Sequence, residues 1–324
     1  DIVPGADGSA PYNMTVLDSN LLFCANGQLW TSDGTEEGTF MVRDINNGQT
    51  SADYLTALGS NLFFCVDDGI HGWELWTSDG TETGTVMVRD ICPGFSGSYP
   101  YNLVAMGSNL FFNASDGIYG RELWKSDGTE DGTAMVKDIV PGSGGSSPEQ
   151  VVACGSRLFF NANDGIHGQE LWRSDGTRAG TVMVRDIFQG APQGSSPLNL
   201  VALGSNLLFV ANDGTHGREL WKSDGTQEGT VMIKDVVPGA ESSYPCRLTA
   251  LNSNLFFNAH DATHGQELWR SDGTEEGTVM VRDIFPGTQD SAPVNLVAFG
   301  SNLLFAANDG IHGFELWKSD GTET

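Results

Sequence analysis

Glu170-Leu171-Trp172-Arg173-Ser174-Asp175-Gly176-Thr177 decides the reading of this chain, because its Leu-Trp-x-Ser-Asp-Gly-Thr string occurs seven times. The tryptophans of the seven copies are Trp30, Trp76, Trp124, Trp172, Trp221, Trp269 and Trp317. A fixed period of this length marks an array of one supersecondary unit, each copy covering its neighbour. Cutting before the Asp of each Asp-Ile or Asp-Val dipeptide gives units 1–43, 44–89, 90–137, 138–185, 186–234, 235–282 and 283–324. No residues remain for a second domain, so 1–324 reads as a single domain.

Outward from the quoted stretch, unit 138–185 shows the local logic. Val151-Val152-Ala153, Leu158-Phe159-Phe160, Glu170-Leu171-Trp172-Arg173 and Thr181-Val182-Met183-Val184-Arg185 are short β-prone runs separated by Gly, Asn and Asp. That pattern is a four-stranded antiparallel meander. Nothing has helical period or length, which excludes βαβ folds. Alternation puts Phe159 on one face and Leu158 and Phe160 on the other, so both faces must be covered. Equivalent sheets stacked side by side do this. The expected fold is all-β: a seven-bladed β-propeller of four-stranded antiparallel blades, with an open β-solenoid as the runner-up. The last blade is expected to be incomplete, because the seventh unit stops before its fourth run.

The glycines fall where the meander turns. Asp164-Gly165 and Asp175-Gly176 sit where hairpins require positive φ. Lys or Arg follows the tryptophan in five units and precedes the Asp-Ile/Val dipeptide in six. Interleaved with acidic residues, these cations are expected to form ladder pairs with Asp and Glu on exposed sheet edges. Acidic residues outnumber basic ones 42 to 16, for a formal net charge of −26. That balance argues against nucleic acid and anionic membranes as partners. No stretch is long and apolar enough for membrane insertion. Cys24 and Cys65 hold equivalent places in successive units, which would permit a bridge between neighbours. Five cysteines without a CxxC pair give no disulfide framework.

The string Glu170 to Thr177, followed by Gly180-Thr181 and Arg185-Asp186-Ile187, resembles the ELWxxDGT repeat of large bacterial exported or surface proteins. The resemblance covers the whole chain, and it implies a propeller-like fold and a secreted or cell-surface location but no reaction. Unit one departs from the pattern, with Gln28-Leu29-Trp30 and a clipped Asn26-Gly27 turn.

A catalytic site on a repeat scaffold should break the repetition, and no unit gains a convincing polar cluster. His71, His167, His216, His264 and His312 share one loop position, where unit three has Tyr119. One histidine per unit keeps them apart, so a turn role is expected over metal ligation. His260 is off-pattern but lies in a hairpin loop. No cofactor is required; the Asp-Gly loops leave calcium open as a hard-ligand cation. The expected role is a non-enzymatic extracellular binding or structural module of a surface layer, fibre or adhesive. Its expected partners are other copies of itself, surface proteins or glycans. The candidate ligand-binding residues are Asp164 with His167, Asp213 with His216, and Asp309 with His312. A multivalent lectin is the first alternative, and a propeller hydrolase or lyase using the central channel is the second. Because the chain opens on the dipeptide that elsewhere follows the fourth run, the polypeptide is also expected to continue, or a second copy to complete the last sheet.

Overall fold

The computed structural model describes residues 2, 8–46 and 51–322, and among them there is no helix. Seven antiparallel sheets follow one another along the chain, at 12–43, 53–89, 101–137, 149–185, 198–234, 246–282 and 294–319. Each falls inside one of the seven sequence units. The first six have four strands in sequential order, and the seventh has three. The strands of unit 138–185 are Glu149–Cys154, Arg157–Asn163, Gln169–Ser174 and Val182–Arg185. Asp1 and Glu323-Thr324, on which the expectation about continuation rests, lie outside the described residues.

The described chain divides into two compact units, 1–156 with 175–181, and 157–174 with 182–324. Within the first, Leu22, Cys24, Leu29 and Val42 of one sheet pack on Leu62, Phe64, Val66 and Trp76 of the next. Phe63, Leu75, Val88 and Ile91, on the other face of that second sheet, pack on Leu110, Phe112, Ala114 and Trp124. The second unit repeats the scheme, with Leu208, Leu220, Ile233 and Val236 against Leu255, Phe257, Ala259 and Trp269. The second sheet is therefore apolar on both faces because each of its faces meets a neighbouring sheet. Trp76, Trp124, Trp172, Trp221 and Trp269 are only 5–6 % exposed, and Trp30 and Trp317 are half-buried. In the seventh sheet Leu316 is 78 % exposed, where its counterpart Leu268 is 1 % exposed.

The second residue of each first strand has positive φ, from Asn13 (50°) to Asn295 (54°), at a break in strand register. These bulges kink the first strand and re-aim its side chains. The expected turn glycines also take the left-handed region, with φ of 78° at Gly165 and 85° at Gly176.

One bridge that the sequence permits is not formed, and one expectation is corrected. All five cysteines are free thiols, and Cys24 donates to the Ala52 carbonyl at 3.0 Å instead of bridging to Cys65. Five of the six cations before the Asp-Ile/Val dipeptide, expected in ladder pairs, donate to a carbonyl of the following repeat. Arg89 Nη1 donates to Thr133 O at 2.6 Å, Lys137 Nζ to Thr181 O at 2.8 Å, and Arg185 Nη1 to Thr230 O at 2.6 Å. Their long stems span to the next turn, where a strand-end carbonyl faces them.

Candidate functional site

The repeated loops are built from carboxylates folded back onto their own backbone. In the Asn-Asp-Gly-x-His-Gly loop, Asp164 Oδ1 accepts the amides of Ile166 and His167 at 2.9 and 2.8 Å. Its Oδ2 meets His167 Nδ1 at 2.7 Å. Asp213 binds Thr215 and His216 in the same way, with a ring contact of 2.8 Å. Asp309 does so with Ile311 and His312, at 2.7 Å. Asp68–His71 and Asp261–His264 make the same pairs at 2.8 and 2.6 Å. The structure thus brings each predicted Asp together with its predicted His, but each pair stays within its own loop.

The pair sets its own ionisation. Burial raises the Asp164 carboxyl, but the amides and ring of His167 outweigh it and hold the group below the usual carboxylate range. The hydrogen bond that the His167 ring donates to Asp164 in turn raises the imidazole. An ionised carboxylate can only accept, so Nδ1 carries the proton and the ring tautomer is fixed.

The second loop, Ser-Asp-Gly-Thr-x-x-Gly-Thr, is equally closed on itself. Asp224 Oδ1 accepts the amide and hydroxyl of Thr226 at 2.8 and 2.7 Å, the Thr226 hydroxyl accepts the Gly229 amide, and Thr230 donates to the Thr226 carbonyl. The second glycine is required by space: a Cβ on Gly229 would stand 2.1 Å from Asp224 Oδ1. Among the described residues no three His, Cys, Asp or Glu side chains converge as metal ligands. His260, off the pattern, accepts the Ala262 amide at its own Nδ1.

Sequence reasoning missed the glutamate of the repeat. Glu74, Glu122, Glu170, Glu219 and Glu267 are fully buried. Glu170 accepts the amides of Ile187 and Ser195 at 3.2 and 2.9 Å and the Ser195 hydroxyl at 2.5 Å. Glu219 holds Val236 and Ser243 in the same way. Burial pushes Glu74 up to about 6 and Glu219 up to about 7 against these hydrogen bonds. The only signal in the sequence is the position of each of these glutamates directly before the Leu-Trp pair of a third strand, with a serine some 24 residues later.

No family model matches the chain, and no curated protein matches its sequence. Among solved structures the chain is similar to the computationally designed Ika8 protein, with TM-score 0.55 and 16% identity over 98% of this chain and 86% of that one. It is similar to a prolyl endopeptidase, with TM-score 0.53 and 12% identity over 96% of this chain and 50% of that one. Prolyl oligopeptidase B from Galerina marginata gives TM-score 0.54 and 10% identity over 93% and 47%. The chain spans about half the length of these two peptidases. At these identities the likeness is one of fold alone.

Proposed function

We propose that the seven sheets are blades of a β-propeller and that the chain is a non-enzymatic extracellular binding or structural module. On this reading it is of the ELWxxDGT-repeat kind, and it presents its Asp–His loops to other copies, surface proteins or glycans. One observation carries the reading. The polar side chains that could do chemistry recur in successive repeats with the same partners, and those partners are the chain's own backbone and turns. A carboxylate already accepting two amides and an imidazole is held in place as part of a turn. A loop fixed in this way presents its edge with little ordering entropy left to lose on binding. The net charge of −26 supports a soluble surface component that does not approach nucleic acid.

The test joins a turnover panel with a binding panel. The purified chain is incubated with fluorogenic peptide, ester and glycoside substrates, and titrated calorimetrically against surface proteins and glycans with and without calcium. Binding without turnover is expected. Turnover that survives repurification of the chain would overturn the reading.

A further inference from the structure

The loops are periodic, but one groove in the first compact unit is not. It lies between the second and third sheets, encloses about 530 Å³, and is lined by Asp53, Tyr54, Trp73, Tyr99, Tyr101 and Arg121 among others. Four of these six are aromatic, and Tyr54 and Trp73 depart from what every other repeat carries. At the Trp73 position, the first residue of each third strand, other sheets have Arg121, Gln169, Arg218, Gln266 and Phe314. Tyr54 has φ 58°, where the equivalent left-handed positions are Asn13, Asn102, Gln150, Asn199, Arg247 and Asn295. Tyr99 has φ 49°, where Ser147, Ser196, Tyr244 and Ala292 take the same conformation. A bulky aromatic side chain in the left-handed region is a strained choice where Asn or Ser would be easier.

The groove is fixed and accessible. Trp73 O accepts the amides of Ser98 and Tyr99 at 2.9 and 3.0 Å, which sets the two aromatic residues side by side. Arg121 Nη1 donates to Tyr99 O at 3.2 Å, and its guanidinium lies 5.0 Å from the Tyr101 ring centroid. Asp53 is steadied by Asn13 Nδ2 at 2.9 Å. Tyr54 and Tyr99 are each 51 % exposed. Aromatic faces are therefore presented beside one fixed anion and one fixed cation, in a volume typical of small-molecule sites.

We propose that this groove binds a carbohydrate, with a pyranose ring stacked on the Trp73 and Tyr99 faces and its hydroxyls hydrogen-bonded to Asp53 and Arg121. A sugar ring offers C–H faces to aromatic rings and adjacent hydroxyls that both donate and accept, so it matches an acceptor and a donor held side by side. A cationic ligand would meet Arg121 already seated on Tyr101. A proline-rich peptide would use the aromatic rings but brings few polar groups to meet Asp53 and Arg121. The corresponding groove further along the chain, lined by Glu241, Ser242, Tyr244, His260, Gln266 and Asp290, has one aromatic residue and no stacking platform. The inference rests on the binding reading of the chain, but it concerns side chains outside the Asp–His loops.

The full chain is titrated with maltohexaose, cellohexaose, xylohexaose, mannohexaose, chitohexaose and a proline decamer, by calorimetry and tryptophan fluorescence. Tyr54→Asn, Trp73→Gln and Tyr99→Ser install residues that sibling repeats already carry, so each variant keeps the fold, which circular dichroism checks. At least one oligosaccharide is expected to bind, with each variant weakening it about tenfold, the worth of one aromatic contact. Silence from all five sugars at about 10 mM overturns the proposal. So does sugar binding that survives Trp73→Gln and Tyr99→Ser, or a proline decamer that alone binds and is lost with Trp73. Sugar binding lost on replacing the loop histidines, and kept in the groove variants, would move the site to the loops and overturn the groove while sparing the binding reading.

Discussion

Acidification from pH 8 to pH 5 is expected to stabilise this protein. The buried glutamates take up a proton more readily folded than unfolded, because burial penalises the charged form. Glu219 titrates at about 7 and Glu74 at about 6 in the fold, against 4.5 for the free side chain. A group whose folded pKa is raised favours the folded state below that pKa, and the gain is lost as pH climbs through it. Between pH 8 and 5 the linkage amounts to about 3 kcal/mol for Glu219 and about 1 kcal/mol for Glu74, about 4 kcal/mol together. Burial raises Glu122, Glu170 and Glu267 as well, and the loop histidines, raised by their aspartates, act in the same direction. The turn aspartates work the other way. Thr226 and Thr274 hold Asp224 and Asp272 low, and that contribution is lost only below the usual carboxylate pKa. Stability should therefore peak near pH 5, by about the pKa of an ordinary carboxylate. Urea unfolding followed by tryptophan fluorescence at half-unit pH steps measures the profile, and Glu219→Gln should flatten it by about 3 kcal/mol. A profile that is flat or falling from pH 8 to 5, or an unchanged slope in the variant, would show that the buried glutamates do not set the pH dependence.

Gly180→Ala should destabilise by about 2 kcal/mol, because its Cβ would stand 2.0 Å from Asp175 Oδ1, and a double-mutant cycle with Asp175→Ala should recover part of the loss. Trp221→Ala should cost about 3–5 kcal/mol in urea unfolding, since the ring is 5 % exposed between sheets. Burial pushes the Cys24 thiol up to about 12 and raises Cys65 too, so a thiol reagent at pH 8 should label Cys92 and Cys246 first. Cys24, Cys65 and Cys154 should react only on unfolding, and non-reducing intact mass should show no bridge.

The strands and turns were legible because two periods coincide in the sequence, the repeat itself and the two-residue alternation of each strand. Leu158-Phe159-Phe160 announces two covered faces, and Asp175-Gly176 announces a left-handed turn, both from local chemistry. What was not legible depends on separation. Glu170 looks like any strand-edge charge until Ser195 folds over it, 25 residues later. Gly180 needs no unusual φ, so only the returning Asp175 side chain explains it. The cations were read as ladder partners because sequence gives the spacing of Arg185 but not the Thr230 carbonyl it reaches. Trp73 and Tyr54 differ from every sibling position, but their meeting with Tyr99 in one groove belongs to the packing of successive sheets.

The presentation role proposed above requires the Asp–His pairs to be fixed parts of their loops. Long-range proton–nitrogen correlation NMR on the histidine rings tests it most directly, across a pH titration and with added calcium. His71, His167, His216, His264 and His312 are expected to carry their proton on Nδ1, to titrate above an ordinary histidine, and not to shift with calcium. Rings protonated on Nε2 with ordinary titration, or ring signals that move on calcium addition, would contradict it.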